Sequence, residues 1–306
     1  MIFNKFFILF KIGRKIGKSN IINIVSETHK IPVFIKLFFN LLSFSFSSSN
    51  NTKSKDRENL SESIQEMGTT FIKLGQFLAT RPDIIGEKLS KELESLQDKL
   101  PPFSKKEAEK IIIENLGQSN FDDIIDLSEP IAAASIAQVH KAKIKEDNIV
   151  KNVAIKVLRP NIKKIFNDEI DAIMLLAYIV ESLISKTKRL KLIEVVFLFK
   201  EITNHEMDLR FEAAAANEYA ENTKNDLGFF VPKIYWNFTS ESVLTLDWVD
   251  GVSIREKDLL KEKNIETSKI ATNLIQHFLR HAVRDGFFHA DMHQGNIFIN
   301  ESSQIV

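Results

Sequence analysis

His289-Ala-Asp-Met-His-Gln-Gly-Asn296 stands near the end of a chain of 306 residues. Asp291 and Asn296 are five positions apart, with His289 two before the aspartate. A carboxylate at Asp291 can receive a proton from an acceptor group. A neutral oxygen at Asn296 can hold magnesium on phosphate oxygens, and moving a phosphoryl group needs both. Gly295 and Asn296 also build ordinary polar turns. The octet therefore takes its meaning from what lies upstream.

Val153-Ala-Ile-Lys-Val-Leu158 alternates as a strand should, with Ala154, Lys156 and Leu158 on one face. A lysine on an apolar strand face needs a counter-charge, because an unpaired buried ammonium is too costly. The alternative is an edge strand with a snorkelling lysine. V-A-I-K is also the pattern of a strand whose lysine grips nucleotide phosphates. Before it, at Pro130, the period changes from helix to strand, and Ile131-Ala-Ala-Ala-Ser-Ile-Ala-Gln-Val-His140 follows. Small residues at 132–135 let a backbone approach phosphates, though alanines do so less freely than glycines.

Beyond the lysine strand, residues 161–185 and 190–222 read as helices, the second bearing Glu206-Met-Asp208 and Glu212. A helix-borne glutamate is the partner such a lysine requires. On a continuous helix 208 and 212 share a face, whereas 206 and 208 point apart. Glu206 and Asp208 converge only if the helix breaks between them. After Pro232, residues 233–238 and 242–247 read as two strands. Leu246-Asp-Trp-Val-Asp-Gly251 then resembles the hinge between kinase lobes, where backbone groups would hold the adenine. A helix near 266–284 leads into the octet, and 297–306 begins a strand pair.

Toward the N-terminus, Leu60, Ile64, Met67, Phe71, Leu74 and Leu78 step by threes and fours, predicting an amphipathic helix. Gly75 inside it costs about 1 kcal/mol against alanine, so a close approach to its backbone is expected. Lys73 and Gln76 share a face beside that gap; an ordinary solvated pair is the plain alternative. Two further helices are expected over 87–99 and 105–116. Ser104 and Glu107 form a capping box on the second, and Gly117 stops it.

Lys plus Arg and Asp plus Glu both number 41, so overall charge selects no partner. Residues 1–55 nevertheless carry nine basic residues and one acid, Glu27, leaving the remainder acidic. Basic residues interleaved with Phe and Leu suit a helix lying on an anionic membrane surface. A helix packed on its own domain with a solvated basic face is the alternative. Neither apolar run, 6–10 nor 33–42, is long enough to span a bilayer. Residues 43–55 read as a linker. The chain has no cysteine, which excludes disulfides and thiolate metal sites.

Taken in order, K-x-G-Q, S-x-A-Q-V-H, A-I-K-V, E-x-D and H-A-D-M-H-x-G-N resemble the UbiB family of atypical protein-kinase-like proteins linked to ubiquinone biosynthesis. The resemblance covers about residues 60–300. It implies an α+β, protein-kinase-like N-lobe with a helical N-terminal extension and the start of a helical C-lobe. The divisions expected are 1–55, a basic and apolar segment; 56–128, the helical extension; 129–250, the N-lobe; and 251–306, an incomplete C-lobe. Carried over by position, Lys73 and Gln76 guard the site, while Ala132, Ala133, Ala134 and Ser135 cover the nucleotide. Ala154 and Lys156 face its phosphates, Glu206 and Asp208 form the E-x-D pair, and Glu212 matches the lysine's glutamate. Asp247 and Val249 belong to the hinge; Asp291 and Asn296 take base and metal roles.

The implied cofactors are ATP and Mg2+, and the implied reaction is phosphoryl transfer or ATP hydrolysis. Quinone-precursor lipids, other ubiquinone-biosynthesis proteins and an anionic membrane are the implied partners, with no nucleic acid. The implied location is the cytoplasmic face of the bacterial inner membrane, peripherally, or the cytoplasm. Gln294 stands where the family has proline. The D-F-G-type aspartate, the principal magnesium ligand, is expected beyond residue 306, and Glu301 is poorly placed to replace it. A truncated inactive remnant and a non-enzymatic membrane scaffold are therefore the competing expectations.

Overall fold

The computed structural model describes residues 2–18, 60–96, 100–147, 149–290, 292 and 294–306. The expected linker at 43–55, most of the basic N-terminal segment, and Asp291 lie outside them. The chain divides into two compact units: Met1–Pro101 with Ala134–Ile136 and Asn161–Met207, and Pro102–Ala133 with Ala137–Pro160 and Asp208–Val306.

The first unit is helical. α1 (Ile2–Lys18) packs Ile8, Leu9, Ile12 and Ile16 against Met67, Phe71, Ala172 and their neighbours. The Lys15 ammonium donates to the Met67 carbonyl at 2.8 Å. The long helix expected from residue 60 is two helices, α2 (Leu60–Met67) and α3 (Thr69–Ala79). The break is at Gly68, whose φ of 101° a side chain would oppose. The apolar step pattern survives because both helices serve one core. α4 (Pro82–Ile85) and α5 (Glu87–Leu93) complete this part, and α5 ends well before residue 99. Leu60, Leu89, Leu93 and Leu96 form its second cluster. The expected close approach at Gly75 is real: a Cβ there would collide with the Leu96 side chain. α8 (Ile162–Leu183) and α9 (Leu192–Glu206) form a hairpin joined by a 3-10 turn over Ser185–Leu190.

The second unit opens with α6 (Lys105–Leu116), capped reciprocally by Ser104 and Glu107 as the sequence implies, and α7 (Gln118–Asp122). Gly117 ends α6 at φ 83°. Its sheet is antiparallel: β1 (Ile124–Ile125), β3 (Ala137–Glu146), β4 (Ile149–Leu158) and β5 (Val243–Asp247) in that order, with β2 (Pro130–Ala133) also on β3. Val153, Ile155 and Val157 are wholly buried beneath α6, beside Ala108 and Ile112. Lys156 takes the opposite face, as the alternation requires.

α10 (Leu209–Thr223) begins after a break at Met207–Asp208, so the 190–222 stretch is two helices rather than one. The expected strand at 233–238 is instead a 3-10 turn over Trp236–Phe238, with a single bridge from Ile234 to Leu246. Phe238 and Thr239 donate back to Tyr235 and Trp236, closing the turn locally, while Thr245 Oγ1 donates to the Phe238 carbonyl. Such local bonds outcompete a ladder. β6 (Gly251–Ser253) pairs with β7 (Phe298–Asn300), and α11 (Lys257–Glu262) and α12 (Thr267–Arg280) pack there around Val252, Leu260, Ile297, Ile299 and Ile305. A π-turn, His281–Asp285, extends α12 toward residue 289. No described helix is long and apolar enough to cross a membrane.

Candidate active site

Lys156 sits midway along β4, flanked by β3 and β5. Its Nζ donates to both Glu212 carboxylate oxygens, at 2.9 and 2.7 Å. The counter-charge that the strand pattern demanded is therefore this glutamate, on the first turn of α10. The side chains are 27% and 50% exposed, so the pair borders solvent rather than being sealed in. A pair so exposed adds little stability. Its evident effect is to hold an extended cation in one place.

The break in the helix separates the E-x-D residues. Asp208 caps α10: it accepts from the Arg210 backbone N–H at 3.1 Å and binds the Arg210 guanidinium at 2.7 and 2.9 Å. Arg210 keeps its charge more firmly for this contact. Glu206 ends α9 in the first unit and pairs with Lys73 Nζ at 3.1 Å. Gln76 lies one turn along α3 from Lys73.

Ala132 and Ala133 close β2, and Ala134 and Ser135 form the turn into β3. Ser135 is fully buried, and its hydroxyl has no partner among the described residues. The next part of the motif has a separate task. The Gln138 side chain clasps Phe103, accepting from its N–H at 2.9 Å and donating to its carbonyl at 3.2 Å. Gln138 Nε2 also meets His140 Nε2 at 2.9 Å, and His140 Nδ1 meets the Ser128 carbonyl at 2.8 Å. Amide N–H can only donate, so His140 accepts at Nε2 and donates from Nδ1: a neutral ring. Burial, opposed by the Ser128 bond, holds its pKa below the ordinary value. Sequence reading missed this network. The polar residues at alternate positions 138 and 140, on one face of a strand, were the available signal.

The Asp247 carboxylate accepts from the Tyr235 hydroxyl at 2.6 Å and the Lys233 N–H at 3.1 Å, so it braces the end of β5. Val249 lies beyond it in the wall of a 260 Å³ cavity shared with Phe230, Trp248, Asp250 and Glu301. Asn296 ends a short turn, Gln294–Asn296, and is exposed. An amide oxygen is a ligand type that suits a hard cation such as Mg2+, and a braced lysine suits phosphate oxygens. The donors described in the second unit thus fit the nucleotide and metal that the motifs imply.

Asp226, His277 and His281 bring possible ligand atoms within 4.8 Å of one another. Charge argues against a metal there. Asp226 already holds Arg284 at 2.8 and 2.9 Å, Arg280 at 3.5 Å and His281 at 3.0 Å. Chiefly through Arg284, its pKa falls to about 2. The cluster is a closed charge network, and it too escaped sequence reading, its members being spread over 60 residues.

Residues 95–306 match the ABC1 atypical kinase-like domain. A protein of Marinobacter nauticus named "Probable protein kinase UbiB" is 34% identical over 275 residues, 90% of this chain and 49% of the relative. A Pseudomonas aeruginosa protein of the same name is 31% identical over 294 residues, covering 95% and 54%. The chain thus spans about half the length of these relatives. Among solved structures, Rv3197 of Mycobacterium tuberculosis, determined with erythromycin, is similar at a TM-score of 0.57 and 25% identity, over 76% of this chain and 57% of that one. With a kinase-like fold, a paired strand lysine and a domain match over more than half its length, the chain belongs to the ABC1 atypical kinase-like family, whose relatives here bear the UbiB name.

Proposed function

We propose that this chain contributes an ATP- and Mg2+-dependent phosphoryl-transfer or ATP-hydrolysis site of the UbiB type, acting in ubiquinone biosynthesis. The observation that carries it is the Lys156–Glu212 pair, which fixes a cation on the solvent-bordering face of the sheet. In this reading Lys156 holds the α and β phosphates and Asp291 receives the acceptor's proton. Ala154 and the 132–135 segment line the nucleotide, with Val249 on the base side and Asn296 on the metal. Magnesium, when bound, supplies the positive charge that offsets charge developing on the transferred group. The test is a nucleotide-dependent rise in melting temperature with MgATP. Wild-type chain should show it and Lys156→Ala should not; equal rises in both would remove the lysine from the site.

The same reading places the chain at an anionic membrane surface. α1 buries one face and leaves Phe7 and Phe10 exposed at 67% and 46%, with Lys11 beside them. The α8–α9 hairpin exposes Leu183 at 70%, near exposed Lys188, Arg189 and Lys191. Cations beside exposed apolar groups suit anionic headgroups. Flotation with phosphatidylglycerol vesicles, but not with phosphatidylcholine alone, is expected. Equal flotation with both, or with neither, would remove the anionic-surface part of the reading. Quinone-precursor lipids are proposed partners within this UbiB-type reading, and binding or turnover assays with a phenolic precursor would test them.

A further inference from the structure

Gln138 and His140 lie opposite Val157 and Ile155 of β4, on the sheet face buried under α6. Val139, between them, takes the other face and lies opposite Lys156. On its far side Val139 pairs with Ala132 of β2. Ala132, Val139 and Lys156 therefore form one row across three strands, on the solvent-bordering face where Lys156 meets Glu212. The backbone ladder of β2 holds this row weakly. The strand is four residues long, and Pro130, opposite His140, has no N–H to donate. A bulge follows between Pro130 and Ala132. A slip of one residue would turn Ala132 to the opposite face and break the row.

The missing hold comes from the buried face. His140 Nδ1 donates to the carbonyl of Ser128, two residues ahead of β2, at 2.8 Å. Lys141 N–H donates to Ser128 Oγ at 2.9 Å, and Ser128 N–H donates to the Lys141 carbonyl at 2.8 Å. Gln138 decides which nitrogen of the ring carries the proton. Phe103 N–H can only donate, so it turns Gln138 Oε1 toward itself at 2.9 Å. Gln138 Nε2 is left to donate to the Phe103 carbonyl at 3.2 Å and to His140 Nε2 at 2.9 Å. His140 must then accept at Nε2 and donate from Nδ1. Gln138 and His140 are 1% and 0% exposed, so water cannot replace a bond lost here. We propose that His140 is a positioning residue: from the buried face, with Gln138 fixing its tautomer, it holds β2 in the register that lines up Ala132 with Lys156. This rests on the phosphoryl-transfer reading for the meaning of that row, but the hold itself needs no nucleotide.

The experiment uses the full chain without nucleotide at pH 7.5. Long-range 1H–15N correlation of the imidazole nitrogens should show His140 protonated at Nδ1 and bare at Nε2. The opposite tautomer, or a charged ring, would overturn the proposal. His140→Asn and His140→Gln supply the second arm. Asn keeps an amide donor near the Nδ1 position, within reach of Ser128, whereas Gln places its amide near Nε2 and leaves the Ser128 carbonyl bare. Amide hydrogen exchange over peptides covering 128–133 should quicken by about ten-fold in His140→Gln, the scale of one or two lost hydrogen bonds. His140→Asn should stay close to wild type, and the β3–β4 hairpin should keep its protection in both variants. Equal exchange in the two variants, or a rise shared evenly by β3 and β4, would reduce His140 to packing and overturn the proposal. Should His140→Gln fail to fold, fast exchange over 128–133 in His140→Asn would overturn it, and wild-type protection there would support it. The MgATP-dependent thermal shift should shrink in His140→Gln and persist in His140→Asn; the reverse order would sever β2 register from nucleotide binding. If the wild-type chain shows no MgATP shift at all, the phosphoryl-transfer reading fails, while the tautomer and the exchange still decide the hold on β2.

Discussion

Lys73 on α3 reaches Glu206 at the end of α9 across 3.1 Å, the lysine 15% and the glutamate 40% exposed. The contact locks the K-x-G-Q lysine to the E-x-D glutamate inside one unit. Because the glutamate keeps much of its hydration, the coupling should be small, about 0.2–1 kcal/mol. A double-mutant cycle of Lys73→Met and Glu206→Gln in urea checks it, and coupling above about 2 kcal/mol would show the pair to be more desolvated than its exposure says.

Gly75→Ala sets two effects against each other. The helix gains about 1 kcal/mol, while the new methyl meets the buried Leu96 side chain and overpacking costs about 1–3 kcal/mol. Net destabilisation of about 1 kcal/mol is expected by denaturant titration. Adding Leu96→Val should recover part of it, whereas additive losses would locate the strain elsewhere.

Glu212→Gln should lower stability by less than about 1 kcal/mol, since both partners border solvent. It should nevertheless weaken the MgATP-dependent thermal shift, because Lys156 loses the carboxylate that holds it. A shift of wild-type size would show that β4 alone aims the lysine.

His140 gives a pH dependence with a definite sign. Its folded pKa lies below the ordinary 6.5 because burial favours the neutral ring. The unfolded chain therefore binds the proton first, and the contribution is complete above about pH 6.5 and lost as pH falls below it. His277 is depressed in the same direction, also chiefly by burial. Denaturation midpoints from pH 7.5 to 5 should fall, and His140→Gln should flatten the fall without abolishing it.

Arg284→Gln leaves Asp226, itself 5% exposed, with weaker partners. A loss of about 1–3 kcal/mol at neutral pH is expected for an under-compensated buried carboxylate. The folded pKa of Asp226 is about 2 and its ordinary value 3.8. Its contribution is therefore present above about pH 4 and disappears as pH falls toward 2. The variant should differ from wild type less at pH 2.5 than at pH 7; an equal difference would assign the loss to packing.

The lysine strand, the capped helix at 104–116 and the approach at Gly75 were legible because each rests on local rules: alternation, reciprocal capping and a glycine inside an apolar stripe. The break between Glu206 and Asp208 was legible only as a condition, and Asp208 supplies its physical cause by capping the next helix. Other features were hidden. The Gly68 break preserves the apolar spacing on both sides, so periodicity runs straight through it. The strand expected at 233–238 lost to local turn bonds that composition does not announce. The Gln138–Phe103 clasp and the Asp226–His281–Arg284 network join residues whose proximity only the tertiary fold creates.

β3 and β4 pair residue for residue from Ala137–Leu158 to Glu146–Ile149, closed by a connection through Asp147 at φ 51°. The next ladder, β4 with β5, must bring Val157 to Val243. Loop closure grows with the logarithm of length, so the second pairing costs about 3 kcal/mol more in chain entropy than the first. The order of assembly follows. The hairpin holding Lys156 closes early and locally during synthesis, well before the ribosome has supplied the strand on its other side. Until then, one edge of the lysine strand stands open to water, and a stalled chain would expose that edge to any other extended segment.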